Sequence, residues 1–263
     1  MANIKEIIKS IDETYHTTKD GTPIYPERYD WVDNYYYGIA VVKKDGKYFH
    51  IDKKGKELYE ERYDYVGYYF EGIACVRKNG KYLHIDKKGI PLYSGVYDDV
   101  GYYSGGIAWV KKDGKMWHID KQGKAIYKEK YDYVGYFREG IAWVRKDGKC
   151  FHINKQGKAI YNERYDWVDD FSEGIARVIK NKKYWHINKQ GIPLYSERYD
   201  RVGSFDEGIA RVRKDGKWCH IDKKGKAIYS ERYDWVRSFD DGIAMVRKDG
   251  KWCHIDKKGK RLD

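Results

Sequence analysis

Apolar and polar residues alternate along this chain in short bursts, each closed by a glycine turn. Between Gly208 and Arg213 the order is Gly-Ile-Ala-Arg-Val-Arg, followed by Lys-Asp-Gly-Lys at 214–217 and Trp-Cys-His-Ile-Asp at 218–222. Asp-Gly between two such runs is a strong hairpin signal. The next turn, Asp-Lys-Lys-Gly-Lys at 222–226, suits a type I turn with glycine in the left-handed region. Four short strands are therefore expected: Tyr199–Val202, Gly208–Arg213, Trp218–Asp222 and Ala227–Tyr229. Turns at this density are poorly compatible with helix.

The same burst recurs every 34 residues. Gly-Ile-Ala begins at Gly38, Gly72, Gly106, Gly140, Gly174, Gly208 and Gly242. The histidines keep that spacing at His16, His50, His84, His118, His152, His186, His220 and His254, without insertion or deletion. Tyr-Asp opens each copy, so copy 1 starts at Tyr29 and copy 7 at Tyr233. The Ile-Ala pair and the Val two places later never change and read as core, as does the always aromatic column of Tyr35, Tyr69, Tyr103, Phe137, Phe171, Phe205 and Phe239. Two columns vary freely, and acceptance of both Trp and Arg places them at a surface or strand end. After Ala the series is Val41, Cys75, Trp109, Trp143, Arg177, Arg211, Met245; after Tyr-Asp it is Trp31, Tyr65, Asp99, Tyr133, Trp167, Arg201, Trp235.

Pro23, Pro91 and Pro193 share one column of the fourth strand. Proline cannot donate to a ladder, so that strand is expected at the sheet edge. A four-stranded meander repeated radially is a propeller blade. The expected fold is all-β: seven tandem antiparallel units forming a seven-bladed β-propeller, with an open superhelix of hairpins as the alternative. Residues 1–14 place Ile4, Ile7, Ile8 and Ile11 on one helical face, which predicts a short amphipathic helix packed on the β-domain or docked on a partner. Residues 15–28 match the third and fourth strands of a unit. Residues 22–25 then either clasp the last copy, which ends in Leu262-Asp263 without the usual tyrosine, or help cap an open array. Residues 29–263 form the repeat domain.

Composition supports this picture, with 28 Tyr, 9 Trp and 27 Gly. Aromatics suit pleated sheets and glycines suit turns. The formal charge of +12 raises nucleic-acid binding, but Lys and Arg mix with 41 acidic residues and form no tail. The basic turns also fall at both strand ends. The four cysteines are far apart and never in CxxC pairs, which argues against a disulfide framework or zinc site. Without a signal-peptide core or an apolar run of membrane-spanning length, a cytoplasmic chain with no membrane insertion is expected.

The segments Phe-x-Glu-Gly-Ile-Ala-x-Val, Lys-Trp-x-x-Ile-Asp and Lys-x-Gly-Lys resemble the WG-repeat (KWG-repeat) family of bacterial proteins over residues 29–263. The family's Trp survives only as Trp218 and Trp252, and its Gly is replaced by Phe49, Leu83, Trp117, Phe151, Trp185, Cys219 and Cys253. The resemblance implies a β-rich repeat fold and a binding role, with no catalytic site to carry over.

The histidine series invites a metal. Equivalent positions on packed sheets lie about 10 Å apart, whereas zinc ligands sit about 2.0–2.3 Å from one ion. A structural hydrogen bond in each unit, to the Asp of Tyr-Asp, is expected instead. Catalysis needs an asymmetric constellation. The breaks in symmetry, at 95–99 and Asn181-Lys182-Lys183, collect no nucleophile and base, so neither an enzyme nor a small-molecule cofactor is expected. The expected function is a non-catalytic scaffold that binds a protein partner through Trp109, Trp143, Arg177 and Arg211, with Tyr36, Tyr68, Tyr69 and Phe70 near the same loops. Binding of nucleic acid or another anionic ligand, and multivalent binding of carbohydrate or small ligands, are the alternatives.

Overall fold

Each copy folds as a three-stranded antiparallel sheet. In the computed structural model, which describes residues 7–263, copy 1 consists of β3 (Trp31–Val32), β4 (Ile39–Lys44) and β5 (Lys47–Asp52), after β1 (Ile7–Lys9) and β2 (His16–Thr18) of the partial unit. The order is β3-β4-β5, it recurs in all seven copies, and none of the sheets closes on itself. The chain is all-β, with no helix among the described residues. It divides into two units, Met1–Tyr131 with the partial unit and copies 1–3, and Asp132–Asp263 with copies 4–7.

The turns form as the sequence requires. Asp45 and Gly46 have φ of 52° and 73°, both positive as a type I′ hairpin needs. Asp52 builds the next turn by accepting the N–H groups of Lys54 and Lys56 at 2.8 and 3.0 Å. Its glycine, Gly55, has φ of 78°, and an added Cβ would collide with the Tyr25 ring. Conformation and close approach both exclude a larger residue there.

The expected fourth strand shrinks to a single bridge on the third, as at Ile51↔Glu57 and Ile85↔Pro91. Proline offers no N–H, and Leu92 donates instead to the His84 carbonyl at 3.0 Å. The other end of the third strand bridges the tyrosine that opens the next copy, two residues before its first strand, as in Tyr48↔Tyr63 and Trp218↔Tyr233.

One expectation is corrected at the N-terminus. The proposed helix lies partly at residues 1–6, outside the described residues, and its described part contains a strand. Ile7–Lys9 pairs with His16–Thr18 in the register Lys9↔His16, which matches Val41↔His50 in copy 1. The partial unit has no Gly-Ile-Ala strand of its own, so these residues satisfy the open edge of β2. The apolar stripe does not pack as one face: Ile8 is 45% exposed and Ile11 fully exposed. Residues 22–25 pair within the partial unit. Pro23 bridges Thr17, and the Tyr25 hydroxyl accepts the His16 N–H at 3.2 Å.

One face of each sheet is the copy's own core. Val32, Ala40, Val42, Phe49 and Ile51 are buried, and Arg62 lies over the Phe49 ring at 3.7 Å. The column that replaces the family glycine is thus an aromatic under a guanidinium in several copies, repeated at Arg164 on Phe151 and Arg198 on Trp185. The other face meets the next copy through histidine. His50 accepts the Tyr59 hydroxyl at Nδ1, 2.5 Å away, and donates from Nε2 to the Gly67 carbonyl at 3.0 Å. His152 does the same with Tyr161 and the Asp169 carbonyl. A carbonyl only accepts, so Nε2 carries a proton, and with burial disfavouring the charged ring Nδ1 is left to accept from the tyrosine hydroxyl. Burial pushes His50, His84, His152, His186 and His220 down to about 4. The histidine hydrogen bond is therefore real, but its partners are a tyrosine nine residues on and a carbonyl seventeen on. The Asp of Tyr-Asp is engaged elsewhere, since Asp64 accepts the turn N–H of Asn79 and an ion pair from Lys47.

Candidate binding grooves

Hairpin register decides which variable columns share a face. In copy 1, Trp31 pairs with Lys43, Lys43 with Tyr48 and Val41 with His50, so these five stand together on the face turned to copy 2. His50 joins the sheets at one end of that face. At the other lies an open groove of about 590 Å³, lined by Trp31, Lys43 and Tyr48 of copy 1, Tyr65 and Tyr68 of copy 2, and Asp33. Tyr68 donates to Asp33, and this bond holds its phenol up at about 12. Lys43 Nζ lies 5.4 Å from the Tyr48 ring centre.

The second unit carries the equivalent groove between copies 5 and 6, about 490 Å³ in volume. Trp167, Ile179 and Tyr184 of copy 5 face Arg201, Arg211 and Trp218 of copy 6, with Arg177 between them. Arg177 Nε donates to Asp169 at 2.8 Å and Nη1 to the Val202 carbonyl at 3.1 Å. Its guanidinium is 5.4 Å from the Trp167 ring, and that of Arg211 is 5.8 Å from Trp218. A separate cavity of about 300 Å³ adjoins Arg177 and is lined by Asp169, Asp170, Ser172 and Glu173. Burial pushes both aspartates above the usual carboxylate range, although Arg177 and Arg138 act in the opposite sense.

Arg177 and Arg211 are brought into one groove. Tyr36, Tyr68 and Phe70 form an aromatic cluster with ring centres 5.4 and 6.1 Å apart, which Tyr102 extends at 4.6 Å from Phe70. Tyr36 is 43% exposed. Tyr69 leaves that cluster: it packs on His50 at 4.6 Å and donates to the Asp86 carbonyl. Trp109, in the first unit, lies against Gly101, where an added Cβ would collide with its Nε1. Trp143, in the second, stacks on Tyr133 at 4.8 Å. The column after Ala is therefore mid-strand and half-buried where Trp or Arg occupies it, not at a strand end.

Sequence reasoning passed over the column of Tyr48, Tyr184 and Trp218, which supplies a wall to each groove. The signal was available, because the Asp-Gly turn fixes the hairpin register and so assigns Lys43 and Tyr48 to one face.

Burial pushes the Cys75 thiol up to about 11 and raises Cys150 and Cys219. Among the described residues no group of three or more His, Cys, Asp or Glu is arranged to hold a metal, and no helix is long and apolar enough to cross a membrane.

The family model for the WG containing repeat matches at residues 19–48, 51–82, 85–115, 119–150, 153–184, 187–218 and 221–252. No curated protein matches the chain. Among solved structures, Hsv2p of Kluyveromyces lactis is similar at 9% identity and a TM-score of 0.40, over 83% of this chain and 89% of that one. A structure described as the eukaryotic initiation factor is similar at 10% identity and a TM-score of 0.48, over 98% and 83%. The AfRom2 CNH domain is similar at 9% identity and a TM-score of 0.31, over 86% and 91%. With seven matched repeats across most of its length, the chain belongs to the WG containing repeat family.

Proposed function

We propose that the protein is a non-catalytic interaction module of the cytoplasm that binds a protein partner in the grooves between its copies. One observation carries the reading. The joints between copies use invariant residues and backbone carbonyls, while the variable Trp, Tyr and Arg columns line the open mouths of the grooves. Aromatic and arginine side chains on a rigid frame are the residue types that dominate protein interfaces. The buried neutral histidines and high-pKa thiols belong to that frame, which supports a role without chemistry. The four unpaired cysteines suit a reducing compartment.

Nucleic-acid binding along the basic turns has less support. Lys47, Lys149, Lys183 and Lys217 each pair with an aspartate of the next copy at 2.5–2.6 Å, which leaves little unopposed charge at those tips. Carbohydrate binding has a specific observation in its favour: the first unit's groove combines Trp31, Tyr48 and Tyr65 with Asp33, flat faces beside a hydrogen-bond acceptor. Arrayed glycans that bind wild type and lose Trp31→Ala are the outcome that reading requires.

The protein-partner reading is tested by affinity capture from the native host with wild type, Arg177→Ala/Arg211→Ala and Trp109→Ala/Trp143→Ala. Urea melts identify variants whose frame is intact. A specific partner depleted by either intact double variant is the expected result. Capture that no intact variant alters sinks the proposal.

A further inference from the structure

Two grooves built on the same frame have opposite electrostatics. The first unit's is lined by Asp30 and Asp33 with Lys43; the second unit's has Arg177, Arg201 and Arg211 and no carboxylate among its lining residues. We infer that the groove between copies 5 and 6 takes an acidic peptide segment carrying an aromatic side chain, a partner chemistry that rests on the protein-binding role proposed above.

The three guanidiniums are unequally engaged. Arg177 is held by Asp169 and the Val202 carbonyl, its side chain is 30% exposed, and Nη2 has no hydrogen-bond partner among the described residues. Among the described residues the Arg211 guanidinium hydrogen-bonds only the Val236 carbonyl, at 3.5 Å, a weak contact. The Arg201 side chain is exposed and makes no hydrogen bond or ion pair among the described residues, while its backbone lies in the sheet opposite Arg213. Among the described residues the one carboxylate that pairs with this group, Asp169, is shared with the adjoining acidic cavity. The groove therefore presents excess positive charge with free N–H donors, an arrangement that carboxylates satisfy in bidentate fashion. Trp167, Tyr184 and Trp218 add flat apolar walls, so an anion joined to a planar ring fills it better than a bare anion.

The surroundings favour a peptide over a nucleic acid. The Arg177 end abuts the cavity of Asp169, Asp170 and Glu173, so a continuous polyanion leaving the groove on that side meets carboxylates. A peptide confines its negative charge to a few side chains and can carry a neutral or basic residue there. The volume of about 490 Å³ suits one aromatic side chain with its acidic neighbours.

The test is fluorescence anisotropy with a labelled peptide in which one Trp is flanked on each side by two Glu, using the full chain. Arg201→Glu is the principal variant, since the Arg201 side chain is exposed and holds no hydrogen bond or ion pair among the described residues, and urea melts confirm that its sheet pairing opposite Arg213 is intact. Lys158→Glu, an exposed turn lysine in the same unit, is the charge control. The inference requires saturable binding that falls about tenfold or more in Arg201→Glu, stays unchanged in Lys158→Glu, weakens with salt, and is reduced when the peptide Trp becomes Ala or its Glu become Lys. Equal binding by Arg201→Glu and wild type overturns it, as does no binding at all. An oligothymidylate that binds more tightly than the peptide also overturns it, in favour of nucleic acid. If partner capture still depends on Arg177 and Arg211 while the acidic probe fails, the inference falls and the interaction role stands.

Discussion

Acid should dismantle this fold through its histidines. In the native state His50, His84, His152, His186 and His220 titrate at about 4, because burial disfavours the imidazolium. Unfolded, each titrates near 6.5. Between these values the unfolded chain binds the extra proton, so stability is complete above about pH 6.5 and is lost as pH falls toward 4. With those two pKa values, a drop from pH 7.5 to 5 removes about 2 kcal/mol per histidine, or about 10 kcal/mol over the five. Total stabilities of domains are about 5–15 kcal/mol. The burial-raised Asp169 and Asp170 work against the trend, since the folded state takes up their protons first as pH falls. They are two groups against five. Urea melts followed by tryptophan fluorescence at pH 7.5, 6.5, 5.5 and 5.0 should show a falling midpoint, steepest below pH 6. His152→Gln removes one titrating site, so its stability should depend less steeply on pH. An unchanged midpoint between pH 7.5 and 5.0 refutes the assignment of neutral, buried histidines.

Four substitutions probe the frame further. Tyr161→Phe deletes the hydroxyl that His152 Nδ1 accepts and should cost about 1–3 kcal/mol in urea melts; a loss indistinguishable from zero means that bond is dispensable. Gly101→Ala drives a Cβ into the Trp109 indole and should cost about 1–3 kcal/mol. Trp109→Ala in the same chain should recover part of that cost, and strictly additive losses exclude the clash as the cause. Lys182 sits at φ 60°, where other copies have glycine, so Lys182→Gly should stabilise by about 0.5–1 kcal/mol; a lower thermal midpoint contradicts that reading.

The repeat, its hairpins and its invariant core were legible because they depend on local chemistry. Asp45-Gly46 fixes a turn, the turn fixes a register, and the register buries Ala40 and Val42 together. The fourth strand was overread, since Ala227–Tyr229 has too few residues beyond its one bridge to extend a ladder. Ile7 and Ile8 satisfied a helical spacing that short apolar segments also meet as strands, and the open edge of β2 decided the matter. The histidine partners were not legible from spacing alone. Their carbonyl acceptor belongs to the next copy, and only the packing of one sheet on another brings it near. For the grooves, the variable columns stood out, yet their grouping depended on both pairing within a hairpin and contact between copies.

The histidine joint ends on a main-chain oxygen, and that has a consequence for how such a chain can change. The acceptor residue is Asp33, Gly67, Gly101, Asp169, Gly203 or Arg237 in different copies, and each offers the same carbonyl. The coupling of one copy to its successor is thus indifferent to side-chain identity there, and several of those residues border a groove. Recombination between copies, or slippage by a whole repeat, preserves the joint while it reshuffles groove chemistry. Inheritance can therefore vary the number of sites and their chemistry separately, with the array's coherence passed on by backbone alone.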